Sequence, residues 1–283
     1  RKVIAPGIAH AETITTFQNK GTISELWTLE SVSDAQELIK SGKAWTVLGK
    51  GSNTLLRGRS VDIVAQVSPK SEMPIVSGTK LTVSAGTSGN RLLKLCQENG
   101  LTGVEFCAGV PTTVGGMVTM NFGCWGDEIG NHVESVGIVN SDGEYLEIAS
   151  EDMAFSYRES RIQKEKWIVM TATFFLEEDD PATIQSRITQ MIQTRLEKQP
   201  LRENSFGSIF KNPRGKYAGQ IIEQLGLKGL RQGDIHISQK HANFMVNDKN
   251  GTYEEAITLI QHIQDEVQKK SQVQLEPEVQ IVP

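Results

Sequence analysis

Residues 108–126 read Ala108-Gly-Val-Pro-Thr-Thr-Val-Gly-Gly-Met-Val-Thr-Met-Asn-Phe-Gly-Cys-Trp-Gly126, five glycines, a proline and three threonines in an otherwise apolar stretch. Glycine loses more backbone entropy on folding than any other residue, so this density needs a compensating use. One such use is a bare backbone against which a bulky ligand lies. A second cluster, Gly49-Lys50-Gly51-Ser52-Asn53, follows the apolar run 45–48. Two backbone-exposing segments point to an extended, phosphate-bearing cofactor held at more than one place by backbone N–H groups. Gly49–Asn53 lacks the third glycine and the following helical pattern of a Rossmann fingerprint, and it lacks the Gly-Lys-Ser/Thr of a P-loop.

The pattern around these clusters mixes helices and strands. Ser33-Asp-Ala-Gln36 has capping-box spacing, with Leu38 and Ile39 facing inward and Gly42 as the stop. The run 45–48 reads as a buried strand, and 61–67 as a second β-branched strand. From about 74 the pattern changes: 81–85 alternates as a strand, and 90–99 reads as a helix closed by Gly100. Strands follow at 133–140, 145–148 and 168–176, the first two joined by Ser141-Asp-Gly143, a hairpin signal. The acidic segment Glu177-Glu-Asp-Asp-Pro181 reads as a boundary. Beyond it Ile184, Ile188, Met191, Ile192 and Leu196 share a helical face. A helix is expected over 219–225 with Gly226 as its stop, a strand over 241–247 and a long amphipathic helix over 253–270. The order is that of an α+β protein.

At 283 residues the chain can bury a sizeable core, divided among two or three domains. Its 29 basic and 34 acidic residues leave a net charge of −5, which argues against a nucleic-acid or anionic-membrane surface. Cys96, Cys107 and Cys124 are odd in number and lack metal-ligand spacing, so they read as small buried hydrophobes of a reducing compartment. The five histidines show no zinc-binding arrangement, and no metal is expected. No apolar run reaches the roughly 20 residues of a membrane span. The chain opens on Arg1 rather than Met, which points to a trimmed N-terminus, and nothing there resembles a signal peptide.

Three polar residues stand where the local pattern does not require them. Arg158 lies in Phe155-Ser-Tyr-Arg158-Glu-Ser160, Ser208 in Ser205-Phe-Gly-Ser208-Ile-Phe-Lys-Asn-Pro213, and Glu278 in Leu275-Glu-Pro-Glu278-Val. Each has an ordinary alternative: a salt bridge for Arg158, a helix cap or turn for Ser208, and an edge-strand charge that discourages aggregation for Glu278. No Gly-x-Ser-x-Gly elbow surrounds Ser208, which disfavours an acyl-transfer serine. The residues by themselves stop at a cofactor-binding α+β enzyme.

Taken in order, these motifs resemble those of the UDP-N-acetylenolpyruvoylglucosamine reductase family, flavoenzymes of bacterial cell-wall synthesis. The resemblance covers nearly the whole chain after about residue 20. It is carried by Val47-Leu-Gly-Lys-Gly-Ser-Asn53, Gly103-Val-Glu through Gly116, Met120-Asn-Phe-Gly, Tyr157-Arg158-Glu-Ser160, Gly207-Ser208-Ile-Phe-Lys-Asn-Pro213, Ala218-Gly219 with Gly226-Leu-Lys-Gly229, and Leu275-Glu-Pro-Glu278-Val. It implies an α+β protein with a two-part FAD-binding domain of the vanillyl-alcohol-oxidase/PCMH type and a C-terminal α+β substrate-binding domain. The parts would be FAD-binding subdomains over 1–70 and 71–177 and a substrate domain with the catalytic C-terminal segment over 178–283.

The resemblance also implies non-covalent FAD, NADPH as co-substrate, UDP-N-acetylglucosamine-enolpyruvate as substrate, and a cytoplasmic monomer serving peptidoglycan synthesis, cell shape and division. Gly49, Lys50, Gly51, Ser52 and Asn53 would hold the pyrophosphate. Pro111, Thr112, Thr113, Gly115, Gly116, Asn121 and Gly123 would line the flavin and its ribityl chain. Arg158, Ser208 and Glu278 fall on the catalytic trio. Lys198, Lys211, Asn212, Lys216 and Tyr217 fall on substrate-binding positions, and Lys211 or Lys198 would support proton donation by Ser208.

The chain departs from the family pattern in two places. Thr112 stands where glycine is usual, and Phe122-Gly-Cys124-Trp125 replaces the more usual Ala/Ile-Gly-Ala-Tyr. The short interval between Arg158 and Ser208 leaves no room for the extra tyrosine-bearing loop of one subclass. Two other readings stand beside this one. The first is a relative of the same architecture that attaches flavin covalently, through His132 or Cys124. The second is a nucleotide-binding module without catalysis.

Overall fold

The computed structural model describes residues 2–4, 10–57 and 62–282. The chain forms two compact units: one of Arg1–Ile4, Leu26–Lys50 and Ile63–Thr194, the other of Ala5–Glu25, Gly51–Asp62 and Arg195–Pro283. The chain therefore crosses from one unit to the other inside the Gly49–Asn53 cluster, between Lys50 and Gly51.

Two sheets build the first unit. In one, the strands run in the order Lys2–Ile4, Glu25–Leu29, Ile63–Val67, Trp45–Val47, and the last two are parallel. Trp27, Leu29, Ile63 and Ala65 close onto Ala35 and Leu38 of the helix Val32–Lys40. That helix starts one turn-fraction earlier than its sequence spacing predicts. The capping box is Ser31 with Asp34: Ser31 Oγ accepts from the Asp34 N–H at 3.3 Å, and the Asp34 carboxylate accepts from the Glu30 and Ser31 N–H groups. An aspartate that satisfies two N–H donors prevails over the longer Gln36. The strand Trp45–Val47 is half-buried rather than buried, because it forms an edge paired only with Ile63–Val67. Val61, where the second strand was expected to begin, lies outside the described residues.

The other sheet is antiparallel, in the order Tyr145–Ala149, Val133–Val139, Ile168–Phe175, Lys80–Ser84, Ile75–Ser77. Alternation decides its faces. Ala172 and Phe174 turn inward with Leu81 and Val83, whereas Thr173 and Thr82 meet on the outer face at 2.9 Å. The expected hairpin is present: Asn140 accepts from Gly143, which lies at φ +83° as a three-residue loop of this type requires. The helix Gly89–Glu98, capped by Ser88 and followed by Gly100 at φ +63°, covers the inner face.

The acidic segment at 177–181 is anchored rather than loose. Glu177–Glu178 pairs with Leu101–Thr102, and Asp179 takes Arg187 of the helix Pro181–Lys198. Arg187 also reaches Glu105, a buried carboxylate that accepts from Thr102 Oγ1 at 2.6 Å and the Gly103 N–H at 2.8 Å. Arg187→Met should lower the stability of the protein by about 2–3 kcal/mol, because it strips a buried carboxylate of its cation. Urea unfolding checks this. An unchanged midpoint would mean that the Thr102 and Gly103 donors alone satisfy Glu105.

In the second unit the strands run in the order Ser205–Ser208, Phe244–Asn247, Ile235–Ile237, Arg231–Gln232, all antiparallel. The helices Ala218–Gln224 and Tyr253–Ser271 bury Ile222, Ile260, Ile263 and Val267 against Phe206, Phe210 and Met245. Gln280–Val282 runs parallel to Thr54–Leu56. No helix among the described residues is long and apolar enough to cross a membrane.

Candidate active site

Ser208 ends the strand Ser205–Ser208 and is neither a helix cap nor a turn residue. Pairing with the neighbouring strand slips between Ser205, opposite Val246, and Ser208, opposite Phe244. Gly207 sits in that bulge at φ +78°, a conformation that a side chain would strain. The bulge re-aims Ser208, and Asn243 then locks the chain beyond it. The Ile209 N–H donates to the Asn243 carbonyl at 2.8 Å, while the buried Asn243 carboxamide exchanges hydrogen bonds with both backbone groups of Phe210. Sequence reasoning missed Asn243. An asparagine inside the apolar strand pattern of 241–247 was the signal.

Glu278 is brought to the same place. Its N–H donates to the Ile209 carbonyl at 2.8 Å, so Glu278 lies against the residue that follows Ser208. Asn53 Nδ2 donates to the Glu278 carbonyl at 3.2 Å, and the Asn53 carbonyl accepts from the Gln280 N–H at 2.9 Å. The second unit thus gathers Asn53, Ser208 and Glu278. Lys211 pairs through Nζ with Glu276 at 2.7 Å, and Asn212 Oδ1 accepts from the Ala218 N–H at the start of the next helix. Lys216 and Tyr217 are exposed and line a cavity of about 340 Å³ with Gln220, Gln224 and Ser271. Lys198 is exposed at the end of its helix.

His241 lies under this strand. Burial pushes its imidazole below the usual 6.5, helped by the Lys228 charge, and its Nδ1 accepts from the Asn243 N–H at 3.2 Å. Gly219 leaves just enough room for the ring, since a Cβ there would stand 3.3 Å from His241 Cε1. A histidine with a depressed folded pKa binds its proton more readily when unfolded, so stability falls as pH drops below the unfolded value. Wild type should therefore lose stability as the pH falls below about 6.5, and His241→Gln should flatten that loss. Equal losses in urea titrations would remove His241 as the cause.

In the first unit, Thr113 caps the helix Val114–Thr119 by accepting from the Gly116 N–H. A Cβ on Gly49 would overlap the Thr113 hydroxyl, so Gly49 and the glycine-rich stretch are in direct contact. Gly115, Gly123 and Gly51 follow the same rule. Gly115 lies on Ala85, Gly123 on the backbone of Asp127, and Gly51, at φ +59°, on Ile14 and Thr15. At these positions the protein's own segments approach too closely to admit a side chain. Among the described residues, none of the five N–H groups from Gly49 to Asn53 has a hydrogen-bond acceptor in the protein. Consecutive N–H donors without protein partners fit a pyrophosphate. Thr112, half-buried, uses its hydroxyl on the Thr113 carbonyl at 3.2 Å, and Pro111 is exposed beside it.

Arg158 occupies a tight turn in which Ser156 and Glu159 exchange backbone hydrogen bonds. It holds φ +62°, where glycine is the usual residue. A non-glycine residue in this region costs about 1–2 kcal/mol and persists only when its surroundings demand it. Its Nη2 donates to the Gly123 carbonyl at 2.8 Å, and the guanidinium lies 5.0 Å from the Tyr157 ring centroid. Ser160 ties the turn to the glycine-rich helix through the Thr119 carbonyl at 2.7 Å. Asn121 is fully buried and its carboxamide is committed to Ser156 and Gly130, so its side chain serves the fold. Cys124 donates to the Phe106 carbonyl, and His132 pairs with Asp127. Burial raises the Asp127 pKa, but hydrogen bonds from Asn131, His132 and the Glu128 N–H outweigh it and hold the carboxyl below its usual range.

Residues 26–149 match the family model described as FAD binding domain, and residues 199–282 match that described as UDP-N-acetylenolpyruvoylglucosamine reductase, C-terminal domain. A protein of that name from Limosilactobacillus fermentum is 37% identical over 255 residues, 89% of this chain and 85% of its own. The crystal structure of UDP-N-acetylenolpyruvylglucosamine reductase from Thermus caldophilus superposes with a TM-score of 0.85 at 31% identity, covering 100% of this chain and 98% of that one. 6-Hydroxy-D-nicotine oxidase from Arthrobacter nicotinovorans shares the fold, with a TM-score of 0.50 at 14% identity over 62% of this chain and 42% of its own.

Proposed function

Since the chain belongs to the UDP-N-acetylenolpyruvoylglucosamine reductase family, we propose that it uses NADPH to reduce the enolpyruvyl ether of UDP-N-acetylglucosamine-enolpyruvate to UDP-N-acetylmuramate for peptidoglycan synthesis. It is an FAD-dependent oxidoreductase of α+β fold, with an FAD-binding part of the vanillyl-alcohol-oxidase type and a C-terminal α+β domain. The observation that carries the reading is the meeting of Asn53, Ser208 and Glu278 in one unit, although 225 residues separate Asn53 from Glu278.

Bound there, FAD would supply two-electron hydride chemistry between a nicotinamide and the enolpyruvyl group. Gly49, Lys50, Gly51, Ser52 and Asn53 hold its pyrophosphate. Pro111, Thr112, Thr113, Gly115, Gly116 and Gly123, with the backbone of Asn121, line the ring and ribityl chain. The engagement of Cys124 and His132 within the protein supports non-covalent binding, so FAD should be released intact on denaturation.

Reduction of the substrate places negative charge on the ether-bearing carbon and its carboxylate. Arg158, a permanent planar cation, stabilises that charge. Ser208 donates its hydroxyl proton to the ether-bearing carbon and regains one from water. Glu278 orients the proton path beside it. Lys198, Lys211, Asn212, Lys216 and Tyr217 take the nucleotide sugar. The interval from Arg158 to Ser208 holds Arg161–Glu165, Ile168–Phe175 and Pro181–Lys198, which supports the subclass lacking the tyrosine loop. We propose a division into two FAD-binding subdomains, 1–70 and 71–177, and a substrate domain, 178–283, although Phe17 and Leu55 pack into the core of the third and Ile184 and Ile188 into that of the second. We further propose that the enzyme works as a cytoplasmic monomer.

Steady-state turnover tests the reading. NADPH consumption should depend on the enolpyruvyl sugar nucleotide and yield a product heavier by two hydrogens. Consumption indifferent to that substrate, or a colourless protein, would favour a binding module without catalysis.

A further inference from the structure

The strand that ends in Ser208 lies at the edge of its sheet, where backbone groups are open to whatever packs beside them. Residues 14–17 pack there. Thr16, half-buried, donates from Oγ1 to the Ser205 carbonyl at 2.6 Å. Phe17 and Phe206, both fully buried, stand 4.5 Å apart between ring centroids. The same segment carries the Gly51–Asn53 loop. The Thr16 N–H donates to the Gly51 carbonyl at 3.3 Å, and a Cβ on Gly51 would overlap the Ile14 carbonyl and the Thr15 backbone. All of these residues belong to one unit.

We infer that Thr16 is a positioning residue for Ser208, fixing the register of its strand against the loop that takes the pyrophosphate. The inference rests on the roles of Ser208 and of Gly51–Asn53 given under Proposed function. The bulge at Gly207, with its φ of +78°, is the pliable point between Ser205 and Ser208. A hydroxyl beyond such a point keeps its place only when the chain is held on both sides. Asn243 holds the far side, through Ile209 and Phe210. Thr16 holds the near side, and the Ser205 hydroxyl, accepting from the Gly207 N–H at 3.1 Å, carries that hold into the bulge. The Phe17–Phe206 pair presses the two segments together, but apolar packing is non-directional and permits sliding along the strand. A hydrogen bond has a preferred line and resists it. With its N–H on Gly51 and its hydroxyl on Ser205, Thr16 relates the proton donor to the phosphate loop.

The test uses the FAD-loaded full chain under anaerobic conditions, with bleaching by NADPH and recolouring by UDP-N-acetylglucosamine-enolpyruvate followed separately. Amide hydrogen exchange over 205–210 is measured before either addition. Thr16→Val keeps the shape and the N–H and removes only the hydroxyl, and the Phe17–Phe206 pair should keep the segments packed. It should retain flavin and bleach within about 2-fold of wild type, recolour about 5-fold more slowly at saturating substrate, and exchange the 205–210 amides about 5-fold faster, the weight of one hydrogen bond. Thr16→Ser, which restores the donor, should bring both back to within about 2-fold. In a Ser208→Ala background, adding Thr16→Val should change recolouring by less than about 2-fold, since no hydroxyl remains to be placed, while the faster exchange persists. Should Thr16→Val fail to fold, Thr16→Ala carries the same expectations. Normal recolouring in Thr16→Val, loss of flavin from the folded variant, equal slowing of both steps, or a slow-recolouring factor that persists in Ser208→Ala overturns the inference and leaves the role of Ser208 standing. Normal recolouring in Ser208→Ala overturns that role and, with it, the inference.

Discussion

Ser208→Ala should leave reduction by NADPH at the wild-type rate and slow reoxidation by the enolpyruvyl sugar nucleotide by about 10²–10⁴-fold, the usual weight of a positioned general acid. The substitution removes one oxygen from a half-buried strand end whose backbone is held by Asn243 and by the Glu278 N–H. The bulge at Gly207 and both strand contacts persist, so the protein should fold as before. A serine hydroxyl is a weak acid, which makes its donation depend on charge already building on the adjacent carbon. The loss should therefore fall on the step that consumes substrate. Stopped-flow absorbance separates the two steps. Equal slowing of both would show that Ser208 supports flavin seating instead.

Arg158→Lys should slow the same step by about 10²-fold or more while leaving the bleaching step within a small factor. Lysine keeps the charge but loses the planar fork, and it offers less surface to the Tyr157 and Phe122 rings. The backbone of residue 158 stays at its positive φ with either side chain, so strain in the turn is unchanged and stability should move little. Retention of near-normal turnover would mean that a point charge suffices, and that the ring and carbonyl contacts around Arg158 are incidental to catalysis.

Much of the local structure was legible because it rests on short-range rules. The Asp-Gly hairpin at 141–143, the glycine stops at Gly100 and Gly226 and the apolar faces of the helices Gly89–Glu98 and Tyr253–Ser271 all stand where propensity and periodicity put them. What pattern could not show is tertiary. The glycines at 49, 115 and 123 admit Thr113, Ala85 and Asp127, neighbours distant or turned back in sequence that no local pattern announces. The left-handed conformation of Arg158 has no signature, since glycine rather than arginine marks such positions. The Asn121 carboxamide holds the Ser156 carbonyl, a bond across 35 residues that no local spacing encodes. The interleaving of the two units was equally hidden: Gly49 packs with the first, whereas Asn53, four residues on, is bonded to Glu278 in the second.

An anaerobic titration of the yellow protein tests the whole reading most directly. About one equivalent of NADPH per flavin should bleach it, and about one equivalent of UDP-N-acetylglucosamine-enolpyruvate should then restore the oxidised spectrum without oxygen. A protein that stays bleached after that addition, or that NADPH never bleaches, would contradict the assignment of this chain to enolpyruvyl reduction.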